Sequence, residues 1–200
     1  MDSKKRLLIN LLILVLLIIA ALVLYKQIGG SIDTQQLAVD QAPVDNTNVA
    51  AGEDDQQEKY DDSIAPDFKM FDLSGNEYRL HDYLGKPIVL NFWASWCGPC
   101  QMEMPEFEQA YNELGDDVNF LMVSMTDGSR ETVETASKFI EEMGYTFPVF
   151  YDTAQEAAYT YAVYSLPTTY FIDAGGNAVA YAKGAINAET LQKGIDAILP

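Results

Sequence analysis

Trp96-Cys97-Gly98-Pro99-Cys100 carries the only two cysteines of the 200-residue chain and places them one helical turn apart, just after an apolar run. That spacing describes a dithiol that opens and closes as one disulfide. The run Ile88 to Trp93 reads as a buried strand, and the polar, helix-compatible stretch from Pro99 onward reads as a helix opening beside Cys97. Cys97 is therefore expected at a helix N-terminus, where unpaired backbone N–H groups and the helix dipole favour the thiolate over the thiol. Only the thiolate attacks a disulfide.

The bland alternatives for a Cys-x-x-Cys pair are half of a zinc site and an inert buried pair. Zinc would need a second pair of ligands, and the chain offers one histidine, His81, and no further cysteine. Met102 and Met104 invite a copper reading, but methionine at helical spacing is commonly core filler, so no metal and no cofactor is expected. Redox work by the dithiol itself is the stronger reading.

Leu166-Pro167-Thr168-Thr169-Tyr170-Phe171-Ile172-Asp173 reads as a proline entering a strand, since Thr, Tyr, Phe and Ile favour a pleated surface. Taken with the dithiol segment, it resembles the thioredoxin superfamily. The resemblance implies a cis-proline, here Pro167, lying against the dithiol and leaving a backbone edge at Leu166 free for a substrate peptide. Local sequence alone would make Pro167 an ordinary strand-entry proline.

Lys4, Lys5 and Arg6 precede Leu7 to Leu24, an apolar stretch of 18 residues interrupted only by Asn10. That is near the minimum for crossing a bilayer, and the basic residues should stay inside. The expected plan is a cytoplasmic N-terminus over 1–6, a single transmembrane helix over 7–24, an acidic disordered linker over 25–63 and a domain over 64–200. A cleaved signal peptide competes, but its apolar core is usually shorter, and Gly29-Gly30-Ser31 is a poor cleavage site. The linker carries nine acidic residues against Lys26 and Lys59 and has little apolar periodicity. It reads as a tether, with a short interaction segment as the other option.

Ile64 to Pro200 is 137 residues, enough for one core. Its twenty acidic residues against seven basic ones argue against nucleic acid and against docking on anionic lipid. The pattern predicts a hairpin over 68–80 around Ser74-Gly75-Asn76, strands over 88–93 and 118–125, and a helix over 131–143. A strand over 147–151, a helix over 153–161, a hairpin from 169–172 to 178–181 and a helix over 187–199 follow. The class is α/β: a central mixed sheet flanked by helices, with an N-terminal β-hairpin.

An additional helix and strand, about 131–151, depart from a minimal thioredoxin. With Ala65-Pro66-Asp67-Phe68, Asn91-Phe92-Trp93-Ala94-Ser95-Trp96-Cys97 and Glu103-Met104-Pro105, this helix-strand insertion resembles the membrane-anchored, extracytoplasmic thioredoxin-like proteins of the TlpA/ResA type. The resemblance implies a thiol-disulfide oxidoreductase in which Cys97 attacks and Cys100 resolves. Thioredoxins can place a buried aspartate on the preceding strand to take the Cys100 proton, but the matching position here is Asn91, which cannot. Glu103, three residues after Cys100 and on its helix face, is the expected substitute, against the plain reading of a solvated helix carboxylate. Trp96, Gly98 and Pro99 join Leu166 and Pro167 as expected client contacts. Trp93 and Trp96 could equally be packing residues, Tyr159, Tyr161 and Tyr164 are expected in packing or on the surface, and Pro105 should bend the helix or end its first segment.

The favoured function is a reductant of disulfides in exported proteins, contributing to cell redox homeostasis at the membrane. The alternatives are an oxidant that introduces disulfides, and a non-catalytic binding module or metallochaperone. A peroxidase would need a different cysteine setting. The resemblance further implies a CcdA-like membrane electron donor, with apocytochrome c, methionine sulfoxide reductase or oxidised surface proteins as clients.

Overall fold

The computed structural model describes residues 64–200; the expected anchor over 7–24 and linker over 25–63 lie outside the described residues. Among the described residues no helix is long and apolar enough to cross a membrane. The strands are β1 (Lys69–Phe71), β2 (Glu77–Arg79), β3 (Ile88–Trp93), β4 (Asn119–Ser124), β5 (Val149–Tyr151), β6 (Thr168–Ile172) and β7 (Ala178–Lys183). The helices are α1 (Gly98–Leu114), α2 (Val133–Met143), α3 (Glu156–Thr160) and α4 (Ala188–Ile198), with a 3-10 turn at Leu80–Tyr83. One mixed sheet runs in the order β2-β1-β5-β4-β3-β6-β7.

β3 is central and buried on both faces. It runs parallel to β4 and antiparallel to β6, so a near-continuous apolar run is what its surroundings demand. Val89 and Trp93 face a layer that includes Cys100, Met104 and Phe107 of α1 and Leu191 and Ile195 of α4. Ile88, Leu90 and Phe92 face the opposite layer of Phe68, Met70, Leu80, Ala157 and Tyr161. Each such large side chain contributes about 1.5–3 kcal/mol on burial. Asn91 is the one polar residue in this strand, fully buried on the α1 side.

The inserted helix and strand have a plain architectural effect. β5 is the strand that joins the N-terminal hairpin to the core, pairing parallel with β4 on one side and with β1, through Phe71 and Tyr151, on the other. α2 begins later than the sequence pattern suggests, because Thr132 is its N-cap and accepts from the Thr135 N–H at 3.1 Å. It stops at Gly144, whose φ of 72° is open to glycine at little cost. Glu131 is left outside the helix. Pro105 does not end α1, which runs unbroken to Leu114. α3 covers five residues rather than nine, opening at Gln155 with Asp152 accepting the Ala157 and Ala158 N–H groups.

Candidate active site

The loop leaving β3 turns back at once, with the Cys97 N–H donating to Ala94 O at 3.1 Å, and delivers Cys97 as the N-cap of α1. Cys97 and Cys100 are joined in a disulfide with Cα atoms 5.2 Å apart. The Cys100 N–H points at Cys97 Sγ, 3.2 Å away. That donor and the helix N-terminus are the groups that would stabilise negative charge on this sulfur. Pro99 fills the first turn, where its missing N–H has no intrahelical partner to lose. Gly98 and Pro99 are exposed, whereas Cys100 is fully buried.

Glu103 is not a solvated helix carboxylate. It is 2% exposed and lies beneath the dithiol, on the buried face of α1 with Cys100, Met104 and Phe107. Its Oε1 accepts from Asn91 Nδ2 at 2.9 Å and its Oε2 accepts from the Ile186 N–H at 2.9 Å. Burial pushes its pKa up to about 7, and these two hydrogen bonds oppose that rise only in part. Asn91 Nδ2 also donates to Thr169 Oγ1 at 2.9 Å, which ties β3, α1 and β6 together below the sulfurs.

Antiparallel pairing of Phe92 with Thr168 brings the end of β3 beside the start of β6, so Pro167 stands at the dithiol end of the sheet. The Leu166–Pro167 peptide is cis, as the resemblance implied. Pro167 O accepts from the Gly184 N–H at 2.9 Å. Trp96 and Leu166 share a cleft of about 320 Å³ with Met125, Val163, Tyr164 and Ser165. Trp96 is 41% exposed, so it is a rim residue, whereas Trp93 is core. Of the methionines weighed for copper, Met104 is core filler but Met102 is 70% exposed, because it falls on the outer face of α1. Tyr159 and Tyr164 are exposed and Tyr161 is buried. A larger cleft of about 720 Å³ lies near Lys86, Asp117 and Leu199, at the opposite end of β3, and holds none of these residues.

Three contributors had no distinct signal in the sequence. Ile186 supplies a backbone N–H, which any residue has; Thr169 was legible only as a strand residue. Glu131 looked like a helix opener, yet its carboxylate accepts from both the N–H and the hydroxyl of Ser95.

A disulfide at a helix N-terminus, a buried carboxyl group below it and a cis-proline strand at its side define a thioredoxin-like thiol-disulfide oxidoreductase. The chain belongs to the AhpC/TSA family, whose model matches residues 62–181. It is 38% identical over 141 residues to the thiol-disulfide oxidoreductase ResA of Geobacillus kaustophilus, covering 69% of this chain and 78% of that one. Among solved structures it resembles a putative thiol:disulfide interchange protein DsbE from Chlorobium tepidum, with a TM-score of 0.62 and 28% identity over 69% of this chain and 96% of that one. An exposed lipoprotein thioredoxin from Streptococcus pneumoniae gives a TM-score of 0.55 and 34% identity over 64% and 96% of the two chains. The enzyme is thus a thiol-disulfide oxidoreductase of the ResA type with a Cys97–Cys100 pair.

Proposed function

We propose that the chain is a membrane-anchored, extracytoplasmic reductant of disulfides in exported proteins. In the reduced state, the Cys97 thiolate attacks a client disulfide; the client S–S bond breaks, a Cys97–client disulfide forms and one client thiolate leaves. Cys100 then gives its proton to the Glu103 carboxylate, and its sulfur attacks Cys97 Sγ. The second client thiolate leaves and the Cys97–Cys100 bond closes. Two electrons have passed from the dithiol to the client.

The observation that carries the exchange mechanism is the buried Glu103 on the face of α1 it shares with Cys100, with a pKa of about 7. A carboxyl group of that pKa can take a proton and return it at neutral pH. The cleft between Trp96 and Leu166 is the proposed seat for client residues flanking the attacked cysteine, and Gly98, Pro99 and Pro167 are proposed as further client contacts.

Placement outside the membrane rests on the basic-then-apolar pattern over 4–24, and the Streptococcus neighbour is itself described as exposed. A reductant in that compartment needs recharging, which a CcdA-like membrane carrier would supply. Cysteines awaiting haem in apocytochrome c, or an oxidised methionine sulfoxide reductase, are suitable clients. Cys100→Ala should freeze the mixed disulfide on Cys97, so that covalent partners are recovered from membranes; recovery of none counts against a dedicated reductase. A reduction potential near that of strong oxidants would reverse the direction of electron flow.

A further inference from the structure

Glu131 is 1% exposed although it stands in the loop between β4 and α2. Its two oxygens have separate partners in the dithiol loop. Oε1 accepts from the Ser95 N–H at 3.1 Å, and Oε2 accepts from the Ser95 hydroxyl at 2.8 Å. The Ser95 carbonyl in turn accepts from Gln101 Nε2 of α1. Every polar group of Ser95 is therefore held, two by the inserted segment and one by the helix that Cys97 caps.

The neighbouring residue reaches the next position of the same loop. The Arg130 guanidinium lies 3.4 Å from the centroid of the Trp96 ring. Both residues sit on a loop that is itself pinned, since Asp127 Oδ1 accepts from the N–H groups of Ser129, Arg130 and Glu131 at 2.8, 2.7 and 3.0 Å. Gly128 N–H donates to Glu131 O at 3.0 Å. One preformed loop thus grips the two residues immediately before the attacking cysteine.

We propose that Glu131 is a positioning residue for Cys97: by fixing Ser95, with Arg130 fixing Trp96, it keeps Cys97 at the α1 N-cap with its sulfur facing the Cys100 N–H. The inference rests on the exchange reading above, in which Cys97 attacks first. A carboxylate is costly to bury, and burial does push the Glu131 pKa upward. The cost is offset where the charge accepts two hydrogen bonds that hold a reactive turn. If Ser95 rotates, the Ala94–Cys97 turn opens and Cys97 Sγ loses the donor that stabilises its thiolate. The effect should fall on the first step, leaving the proton transfer between Cys100 and Glu103 alone. The titratable groups acting on Glu131 are Asp127 of its own loop and Tyr151 of β5; Arg130 is the cation over Trp96.

The test uses the full reduced chain, the pH midpoint of Cys97 alkylation, and the rate of attack on a small aromatic disulfide. Glu131→Ala removes both hydrogen bonds to Ser95 and should raise the midpoint by about one unit and slow attack about tenfold. Glu131→Gln can still accept the Ser95 N–H and donate to Ser95 Oγ, and should stay within about twofold of the wild type. A folded Glu131→Ala protein with wild-type Cys97 titration and rate, or a Gln variant as slow as the Ala variant, overturns the proposal. Should Glu131→Ala fail to fold, Ser95→Ala removes the hydroxyl bond alone and should slow attack about threefold; an unchanged rate and midpoint there overturns it equally. Undiminished exchange in Cys97→Ser would instead overturn the reading on which it rests.

Discussion

Asn91 donates to Glu103 across 2.9 Å in a site where both residues are buried, one on the central strand and the other on the helix that carries the dithiol. The strand position carries an amide that donates, and the carboxyl group that accepts from it stands on the helix. Asn91 also fixes where that group points, because its amide bridges Glu103 and Thr169.

The raised pKa of Glu103 makes stability depend on pH. Its folded value of about 7 lies above the ordinary 4.5, so between those values the folded protein binds more protons than the unfolded chain. The stability associated with this group is therefore full below pH 4.5 and falls as pH rises toward 7, by about 3 kcal/mol in all. Denaturant titrations of the oxidised protein between pH 4 and 8 should show that decline in the wild type. In Glu103→Gln the decline should be smaller by this amount, since Glu131 and Asp152 remain in both proteins and cancel in the difference.

Glu103→Gln should also separate the two chemical steps. Formation of the Cys97–client disulfide should continue at nearly the wild-type rate, while its resolution by Cys100 slows by about 10²-fold, the usual scale of a lost general base. Stopped-flow kinetics with a trapped intermediate would read both. Unchanged resolution would remove Glu103 from the mechanism.

The cleft beside Trp96 predicts a split between large and small substrates. Leu166→Ser should raise KM for a peptide disulfide by about fivefold to tenfold, the worth of one apolar contact, and leave attack on a small aromatic disulfide near the wild-type rate. Equal losses on both substrates would place Leu166 in the scaffold instead.

Gly194 of α4 packs directly on Phe171 of β6, and a Cβ at this position would overlap the Phe171 ring. Phe171 is fully buried and cannot swing into solvent. Gly194→Ala should therefore destabilise by about 1–3 kcal/mol or more, despite the better helix propensity of alanine. Thermal or denaturant unfolding measures it directly.

Local chemistry determined much of this protein on its own. The spacing of Cys97 and Cys100, the apolar run of β3 and the helix-compatible stretch after Pro99 specify a dithiol at a helix start, because periodicity and capping are properties of neighbouring residues. The order of strands and helices was readable for the same reason, with ends displaced where a cap such as Thr132 intervenes. Only the tertiary structure decided which polar residues meet around the disulfide. Glu103 meets Ile186 across 83 positions, Asn91 meets Thr169 across 78 and Glu131 meets Ser95 across 36. A glutamate written in a helix carries no sign of whether that face will be wet or dry. Burial by distant elements turns Glu103 from an expected surface charge into a carboxyl group with a raised pKa and Glu131 from an expected helix opener into the hydrogen-bond partner of Ser95, and that burial exists only after the sheet has formed.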